Sequence, residues 1–381
     1  MEIEQCRWTA ARGWEPRLPG GLRAADLVLI FGGTGVLGDL RDGGLYREIA
    51  MAYPKALLFG CSTAGDIFGT QVSDDTLVAT AARFESTRVV GASTRIEGPQ
   101  DSFAAGERLA RSLAPEGLVH VLVLSDGLHV NGSDLVRGLA AHLPADVTVT
   151  GGLSGDGPRF RETLVIRNGR PEPLAIAAVG FYGSRLRIGY ASLGGWDPFG
   201  PERLITRSAG NVLYELDGHS ALELYKTYLG PHARDLPASG LLFPLSLRSE
   251  MDETPVVRTI LSVDEEEQSM TFAGDLPKGS YARLMKANFD RLIDGAVGAA
   301  TTCHEAVGRL APDLALLVSC VGRKLVLGQR IEEEVEGVRD VLGERTVLAG
   351  FYSYGEISPF TQTARCELHN QTMTITTLAE R

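Results

Sequence analysis

Short apolar runs, each closed by glycine or a polar residue, recur along the chain. Residues 27–31, 56–59, 119–124 and 314–318 are examples. Runs of this length bounded by glycine predict buried strands. Apolar residues at helical spacing lie between such runs, as over 331–342, and predict amphipathic helices. This alternation predicts an α/β (α+β) protein with mixed, largely antiparallel sheets flanked by helices.

Polar residues mark the ends of several predicted helices. Ser220 and Glu223 form a capping box that begins a helix, and Gly230 ends it. Asn288 begins a long helix that runs to about residue 310.

The strand pattern also predicts some pairings. Segments 76–83 and 87–96 are rich in Val, Thr and Ala, and we expect them to pair with each other. Farther along, Asn168-Gly169 and Gly183-Ser184 are hairpin signals, which predict antiparallel strands on either side.

One turn pattern is written three times. It reads GCSTAGDI at 60–67, GGLSGD at 151–156 and GFYSYGEI at 350–357, each time after a strand-like run. Glycine lets another group approach the backbone, and freed N–H groups beside a carboxylate suit a polar ligand. A single copy is typical of a tight turn. Three copies at matching strand ends indicate a shared site.

Two long segments repeat as a unit. Residues 87–169 and 281–378 both read strand, helix, strand, helix, strand, glycine turn, strand. We therefore predict two related domains, and we take their pseudo-twofold packing as a hypothesis. The length of 381 residues also favours two domains. The predicted boundaries are an N-terminal extension over 1–24 and domains over 25–215 and 216–381.

Composition narrows the classes of function. The net charge of -11 argues against a nucleic-acid partner and an anionic membrane surface. No apolar run reaches the length of a membrane helix, so no membrane insertion is expected. The N-terminus lacks the apolar stretch of a signal peptide. The five scattered cysteines contain no C-x-x-C pair, which fits a reducing, cytoplasmic setting.

Enzyme and cofactor motifs are incomplete. Residues 32–39 contain G-x-G-x-x-G after a strand, but 39–44 is predicted as loop and the next strand lacks an acid for a ribose, so no nucleotide cofactor is expected. No metal site is predicted, because the seven histidines lack ligand spacing. Cys61 and Cys320 lie at strand ends, where either a thiolate nucleophile or a small buried filler is consistent. Trp196 is predicted to fasten its loop to the core, with an apolar lid as the alternative.

The chain resembles the FIST domain family of bacterial and eukaryotic signal-input proteins. The resemblance rests on GCSTAGD at 60–66, GLSGDG at 152–157, GWDPFGP at 195–201, NVLYELDG at 211–218 and YSYGEI at 352–357 with HNQ at 369–371. It implies N-terminal and C-terminal FIST modules and a small-molecule sensor, with amino acids or related metabolites as ligands. Because no output domain is recognisable, the signal is expected to pass to a separate output protein.

We expect a polar pocket made by turn amides, hydroxyls and carboxylates, which suits an amino-acid-like zwitterion. For each acid the alternative is a turn residue that bonds its own backbone. An enzyme that uses a strand-end Cys or Ser, or a carboxylate pair, stays open, as does a pure interaction module. No catalytic residue is assigned. The candidate ligand-binding residues are Cys61, Ser62, Thr63, Asp66, Ser125, Asp126, Ser154, Asp156, Ser319, Tyr352, Ser353, Glu356, His369 and Asn370.

Overall fold

A computed structural model of the chain describes residues 1–18, 20–39, 44–248, 255–359 and 366–381. It consists of mixed β-sheets flanked by helices, which confirms the predicted α+β class. Three units of similar connectivity follow one another along the chain, and the third contains an insertion with sheets of its own.

The first unit spans the first seven strands. Its elements are β1 (Glu2–Thr9), β2 (Gly13–Glu15), β3 (Leu27–Gly33), α1 (Thr34–Asp39), α2 (Gly44–Ala52), β4 (Leu57–Thr63), β5 (Asp66–Phe68), β6 (Gln71–Ser73) and β7 (Leu77–Arg83). The second unit has similar strand connectivity but adds a helix, α3, between its first strand and its parallel pair. Its elements are β8 (Arg88–Arg95), α3 (Ser102–Arg111), β9 (Leu118–Ser125), α4 (Gly132–Ala140), β10 (Thr148–Leu153), β11 (Val165–Arg167), β12 (Arg170–Glu172) and β13 (Ala175–Tyr182).

The third unit opens with β14 (Leu186–Leu193), after which the insertion follows. The insertion consists of β15 (Asp197–Ala209), β16 (Val212–Leu216), β17 (His219–Ser220), α5 (Ala221–Leu229), β18 (Leu245–Arg248), β19 (Val256–Arg258), β20 (Ile260–Asp264), β21 (Ser269–Phe272) and β22 (Tyr281–Lys286). The unit then resumes with α6 (Phe289–Ala306), β23 (Leu314–Cys320), α7 (Val321–Leu327), α8 (Ile331–Leu342), β24 (Val347–Ser353), β25 (Gly355–Pro359), β26 (Cys366–His369) and β27 (Met373–Glu380).

Each unit is built on a parallel pair of strands with an antiparallel neighbour. β3 and β4 are parallel with β7 beside β3, and the same holds for β9, β10 and β13 and for β23, β24 and β27. Right after the second parallel strand, the chain leaves its own sheet. β5 pairs with β24, β11 pairs with β4, and β25 pairs with β10. The three units therefore exchange a strand in a cycle.

One predicted strand pairing is wrong, and the predicted repeat has one more copy than expected. β7 and β8 do not pair with each other: β7 lies between β3 and β1, whereas β8 pairs with β13 in another sheet. The echo between 87–169 and 281–378 is present, but 2–83 adds a third copy, so the connectivity repeats three times instead of twice.

Apolar side chains from all three units fill the space between their sheets. Leu29 of β3, Leu122 of β9 and Leu316 of β23 share this core, and Phe31 stacks on Phe351 with ring centroids 4.8 Å apart. Because both faces of these strands are covered, their sequences are nearly continuous apolar runs. The insertion has a separate apolar core around Tyr225.

Predicted helix ends agree with the structure in two places. The Ser220 side chain accepts a hydrogen bond from the Glu223 N–H at 3.2 Å, and Gly230 follows α5 with φ 55°. Asn288 caps α6 by accepting from the Arg291 N–H at 3.4 Å. The loop predicted over 39–44 falls largely outside the described residues, and a short helix, α1, precedes it directly after the glycines of β3.

The predicted domain boundaries at 24 and 215 stay predictions. Residues 2–9, within the predicted extension, supply β1 to the first sheet, and β16 spans residue 215.

Candidate functional site

The three glycine turns meet at one place in the molecule. The Ala64 N–H donates to the Tyr352 carbonyl and the Tyr352 N–H to the Gly65 carbonyl, both at 2.8 Å, which joins the first turn to the third. The Gly155 N–H donates to the Ser62 carbonyl at 3.0 Å, which joins the second turn to the first. The Tyr354 N–H donates to the Leu153 carbonyl at 3.1 Å and closes the ring.

The same steric constraint requires glycine at the first position of each turn. A Cβ on Gly60 would lie 1.8 Å from the Ile30 carbonyl oxygen of the parallel neighbour strand. The corresponding distance at Gly350 is 1.9 Å, to the Leu317 oxygen. A Cβ on Gly151 would lie 1.8 Å from the Val123 carbonyl oxygen of β9. The repeated glycines thus allow the close approach of parallel strands just before the turns.

In the first turn, hydroxyl groups surround the carboxylate of Asp66. Thr63 and Thr76 donate to it at 2.6 and 2.7 Å, and the side chain is buried. Burial raises the pKa of Asp66 to about 7, although these hydrogen bonds act in the opposite direction. Ser62 Oγ accepts from the Leu164 N–H at 2.9 Å, and Cys61 is buried beside it.

Backbone N–H groups and hydroxyls donate to Asp156 of the second turn and to Asp126, which directly follows β9. Asp156 accepts from the N–H groups of residues 160–162 and from the Tyr354 hydroxyl. Asp126 accepts from the N–H groups of residues 128, 129 and 174 and from the Thr163 hydroxyl. Ser154 donates to the carbonyl of Ser125 at 2.8 Å. These acids have internal partners, as in the turn alternative considered from sequence.

In the third turn, Glu356 ties β25 to the loop before β27. Ser353 Oγ donates to one carboxyl oxygen at 2.5 Å, and the Thr372 N–H and hydroxyl approach the other at 3.2 and 3.0 Å. Burial raises the pKa of Glu356 to about 8 against these hydrogen bonds. The carboxyl group is therefore largely neutral at pH 7. Through its hydrogen bonds to Thr372, Glu356 fixes the loop that carries Asn370.

Two other candidates serve a buried ion pair between α7 and α8. Arg323 bonds Glu334 with 2.7 Å between Nη2 and Oε2, and both side chains are 0% exposed. Ser319 and the Tyr352 hydroxyl donate to the other Glu334 oxygen at 3.1 and 2.8 Å. Arg323 also donates to the backbone carbonyls of Gly194 and Leu292, so all of these polar groups have partners within the protein.

The thiols of Cys61 and Cys320 are both buried. Burial raises the pKa of Cys61 and of Cys320 above the ordinary value. Both thiols stay protonated at neutral pH, which does not support a thiolate nucleophile at either strand end.

At the junction between the insertion and the third unit, some buried polar atoms have no hydrogen-bond partner among the described residues. Asn370 is 0% exposed, and neither atom of its amide has a hydrogen-bond partner among the described residues. The Oε1 atom of the neighbouring Gln371 is also buried and unpartnered there. Buried amides without a hydrogen-bond partner are rare in native proteins, so this position calls for an explanation.

From the insertion side, Arg258 reaches the same loop. Its Nη1 donates to the Leu368 carbonyl at 2.9 Å, two residues before Asn370. Arg258 is 5% exposed, and within the described ranges its guanidinium donates to the carbonyl oxygens of Val257, Leu368 and Asp275. Burial lowers the pKa of Arg258, and the charges of Glu367 and Asp275 act in the opposite direction. Trp196 Nε1 donates to the Gln371 carbonyl at 2.8 Å, which agrees with its predicted fastening role. His369 Nε2 bonds the Ser358 carbonyl at 2.7 Å, and burial lowers its pKa to about 4.

Sequence reasoning included Asn370 and missed Arg258 and Gln371. Arg258 lies in an apolar strand-like stretch, VVRTI, where a single basic residue was the available signal. A cation in a strand that is otherwise buried needs a partner across the interface.

Comparison with known proteins places the chain in a family of sensor modules. Residues 26–219 match the FIST N domain, and residues 221–359 match the FIST C domain. The chain belongs to the FIST family, whose domains are signal-transduction sensor modules. No curated protein matches the chain. Among solved structures, the crystal structure of a cyanuric acid hydrolase from A. caulinodans is similar at 11% identity over 100% of this chain and 99% of that chain, with a TM-score of 0.39. That likeness is too low to say anything about activity.

Two further features concern only the described ranges. No helix there is both long and apolar enough to cross a membrane. Nor is any group of three or more His, Cys, Asp or Glu side chains placed to hold a metal ion.

Proposed function

We propose that this protein is an intracellular sensory input module that binds an amino acid or related metabolite and passes the signal to a separate output protein. The observation that carries the proposal is the buried amide of Asn370, which has no partner among the described residues and lies two residues after Leu368, the residue that the buried Arg258 contacts. A buried guanidinium whose hydrogen bonds go to backbone carbonyls suits the carboxylate of a ligand. An amide offers both a donor and an acceptor to the ligand's other polar groups.

In this proposal the remaining candidate residues position the site and do not contact the ligand. Glu356 and Ser353 fix the loop through Thr372, and the three interlocked turns fix Glu356. Asp66, Asp126 and Asp156 hold their turns by internal hydrogen bonds, so in this proposal they position the site and do not contact the ligand.

The signal is proposed to travel through the insertion. Its contacts to the loop before β27 run through Arg258 and the Leu241 carbonyl, which accepts from Gln371 at 3.4 Å. A ligand that takes over the Arg258 guanidinium weakens its bond to Leu368 and moves the insertion relative to the three-unit body. A ligand shifts such an equilibrium only by its differential affinity for the two arrangements.

A thermal-shift and calorimetry screen against the amino acids, with short organic acids as the comparison group, tests the proposal. A ligand at a hundredfold excess over its Kd adds about 2.7 kcal/mol of stability. We expect a hit among the amino acids and its loss in Asn370→Leu. That substitution removes a buried unpartnered amide, so the unliganded melting temperature should rise while binding disappears.

The controls separate binding from folding. Asn168→Gly, in the turn between β11 and β12 where Asn168 has φ 50°, should leave both melting temperature and binding unchanged. Arg258→Lys keeps the charge but not the planar fork, and should weaken the ligand about tenfold. If Asn370→Leu binds the hit as tightly as the unaltered chain, the junction is not the site. Turnover of the hit would instead favour the enzyme alternative.

A further inference from the structure

A second polar groove lies on the first unit, formed by the β1–β2 hairpin, the loop that follows it and α2. It encloses about 500 Å³, within the range of roughly 300–1,000 Å³ that small-molecule pockets occupy. The lining residues are Arg12, Trp14, Arg17, Leu18, Arg23, Glu48, Met51 and Ala52.

One carboxylate holds the walls of this groove together. Glu4 of β1 accepts from the N–H groups of Gly20, Gly21 and Leu22 at 2.6–3.0 Å and from the Tyr53 hydroxyl at 2.6 Å. Burial opposes ionisation of Glu4, but these hydrogen bonds lower its pKa below the ordinary value. The hairpin, the loop and the end of α2 are thereby fixed to one another. The groove is a formed site and does not depend on a ligand for its shape.

The charge of the groove is opposite to that of the whole chain. Three arginines and one glutamate line it, in a protein of net charge -11. Within the described ranges, neither Arg17 nor Arg23 has an ion-pair or hydrogen-bond partner. Arg12 lies 3.7 Å from Glu15 with both side chains largely exposed, a pair that contributes little. The guanidinium groups are therefore available to an anion.

An oriented aromatic ring lies among these arginines. Trp14 is half-buried, and its Nε1 donates to Glu48 Oε2 at 2.8 Å, which fixes the indole and occupies the one acid of the lining. Leu18 and Met51 add apolar surface beside it. A fixed indole is a stacking surface for a flat ring, and arginine forks match phosphate oxygens.

We propose that this groove binds a phosphorylated small molecule with a flat ring system, of which a nucleoside phosphate is the simplest kind. The ring stacks on Trp14, and the phosphate groups accept hydrogen bonds from Arg17 and Arg23, with Arg12 nearby. The groove is built from different residues than the insertion junction, so this site is independent of the sensory ligand proposed above.

Calorimetry on the full chain with ADP, adenosine and inorganic pyrophosphate tests the proposal. ADP should bind at least about tenfold more tightly than either pyrophosphate or adenosine, because it alone has both ring and charge. Arg17→Ala and Arg23→Ala should each weaken ADP about tenfold, and rising salt should weaken it further. Trp14→Ala should remove the advantage of ADP over pyrophosphate, whereas Trp14→Phe should keep most of it.

The matched control is Arg187→Ala, which removes an exposed arginine on β14. It should leave ADP binding unchanged. All variants change exposed or half-buried positions, so an unaltered melting temperature is the check that they fold. Equal binding of pyrophosphate and ADP, unchanged binding in the arginine variants, or no binding of ADP at millimolar concentration would each overturn the proposal.

Discussion

At the scale of the residue, the repeated glycines are the most sharply constrained positions. Gly60→Ala and Gly350→Ala would each place a methyl group within 2 Å of a backbone carbonyl of the neighbouring strand. Backbone cannot move aside as a flexible side chain can, so each change should cost at least about 1–3 kcal/mol, the typical range for overpacking. Urea unfolding of each variant measures this loss.

Gly35→Ala is the control for these glycines. Gly35 lies in α1, nothing lies within 4 Å of its added Cβ, and alanine favours helix. Its stability should be unchanged or slightly higher. A loss at Gly35 equal to that at Gly350 would show that the cost does not come from the close strand approach.

The buried carboxyl groups predict how stability depends on pH. Glu356 has its pKa raised from 4.5 to about 8 in the folded chain, so the folded state holds a proton that the unfolded state releases. The stability that protonated Glu356 contributes to the free energy of unfolding is fully present below pH 4.5. It is lost as pH rises towards 8, at up to about 1.4 kcal/mol per pH unit.

Relative to the unaltered chain, Glu356→Gln should therefore gain unfolding free energy as pH rises from about 5 to 8. The buried His120 and His369, whose pKa values are lowered, add the opposite slope below pH 6.5 in both proteins and leave this difference unchanged. Gln stays neutral and keeps an oxygen for the hydroxyl and N–H donors. The raised pKa of Asp66 contributes a smaller loss of stability with the same sign up to about pH 7, and Glu356→Gln with Asp66→Asn should remove both contributions. An identical pH profile in Glu356→Gln and the unaltered chain would show that Glu356 is ionised when folded.

At the scale of the element, α7 and α8 depend on one buried ion pair. Arg323→Met leaves the Glu334 carboxylate buried with only the Ser319 and Tyr352 hydroxyls, and should cost about 3–5 kcal/mol. Arg323→Met combined with Glu334→Leu removes both charges and should cost much less than the sum of the two single changes. A double-mutant cycle by chemical denaturation measures the difference. Additive losses would contradict a coupled pair.

The sequence predicts the elements better than it predicts their partners. The apolar runs at 119–124 and 314–318 are strands, and Asn288 and Ser220 begin helices, because period and capping are local properties. The meeting of the three turns also follows from their place at the carboxyl ends of buried strands. An apolar run says that a strand is buried, but not against which strand, so the pairing of β7 with β8 was wrongly predicted. Arg258 was missed for the same reason, since Leu368, whose carbonyl accepts from it across the junction, lies 110 residues away in the sequence.

At the scale of the whole molecule, the cyclic strand exchange makes the two halves of the chain interdependent. A fragment of residues 1–215 contains β10 without β25, β5 without β24, and β14 without β27. Each missing partner leaves unpaired backbone and exposed apolar surface. This fragment should lack cooperative unfolding and near-UV dichroism when expressed alone, and should recover both when co-expressed with residues 216–381.

Removal of the insertion should have the opposite result. Asp197 pairs with Lys286, so residues 198–285 can be replaced by a short glycine-containing turn without stretching the chain. The apolar core around Tyr225 leaves with the insertion, while the core shared by the three units stays complete. We expect this shortened protein to unfold cooperatively but to lose the amino-acid ligand, since Arg258 is gone. If the 1–215 fragment folds alone and the shortened protein does not, the three exchanging units are not the structural core of the molecule.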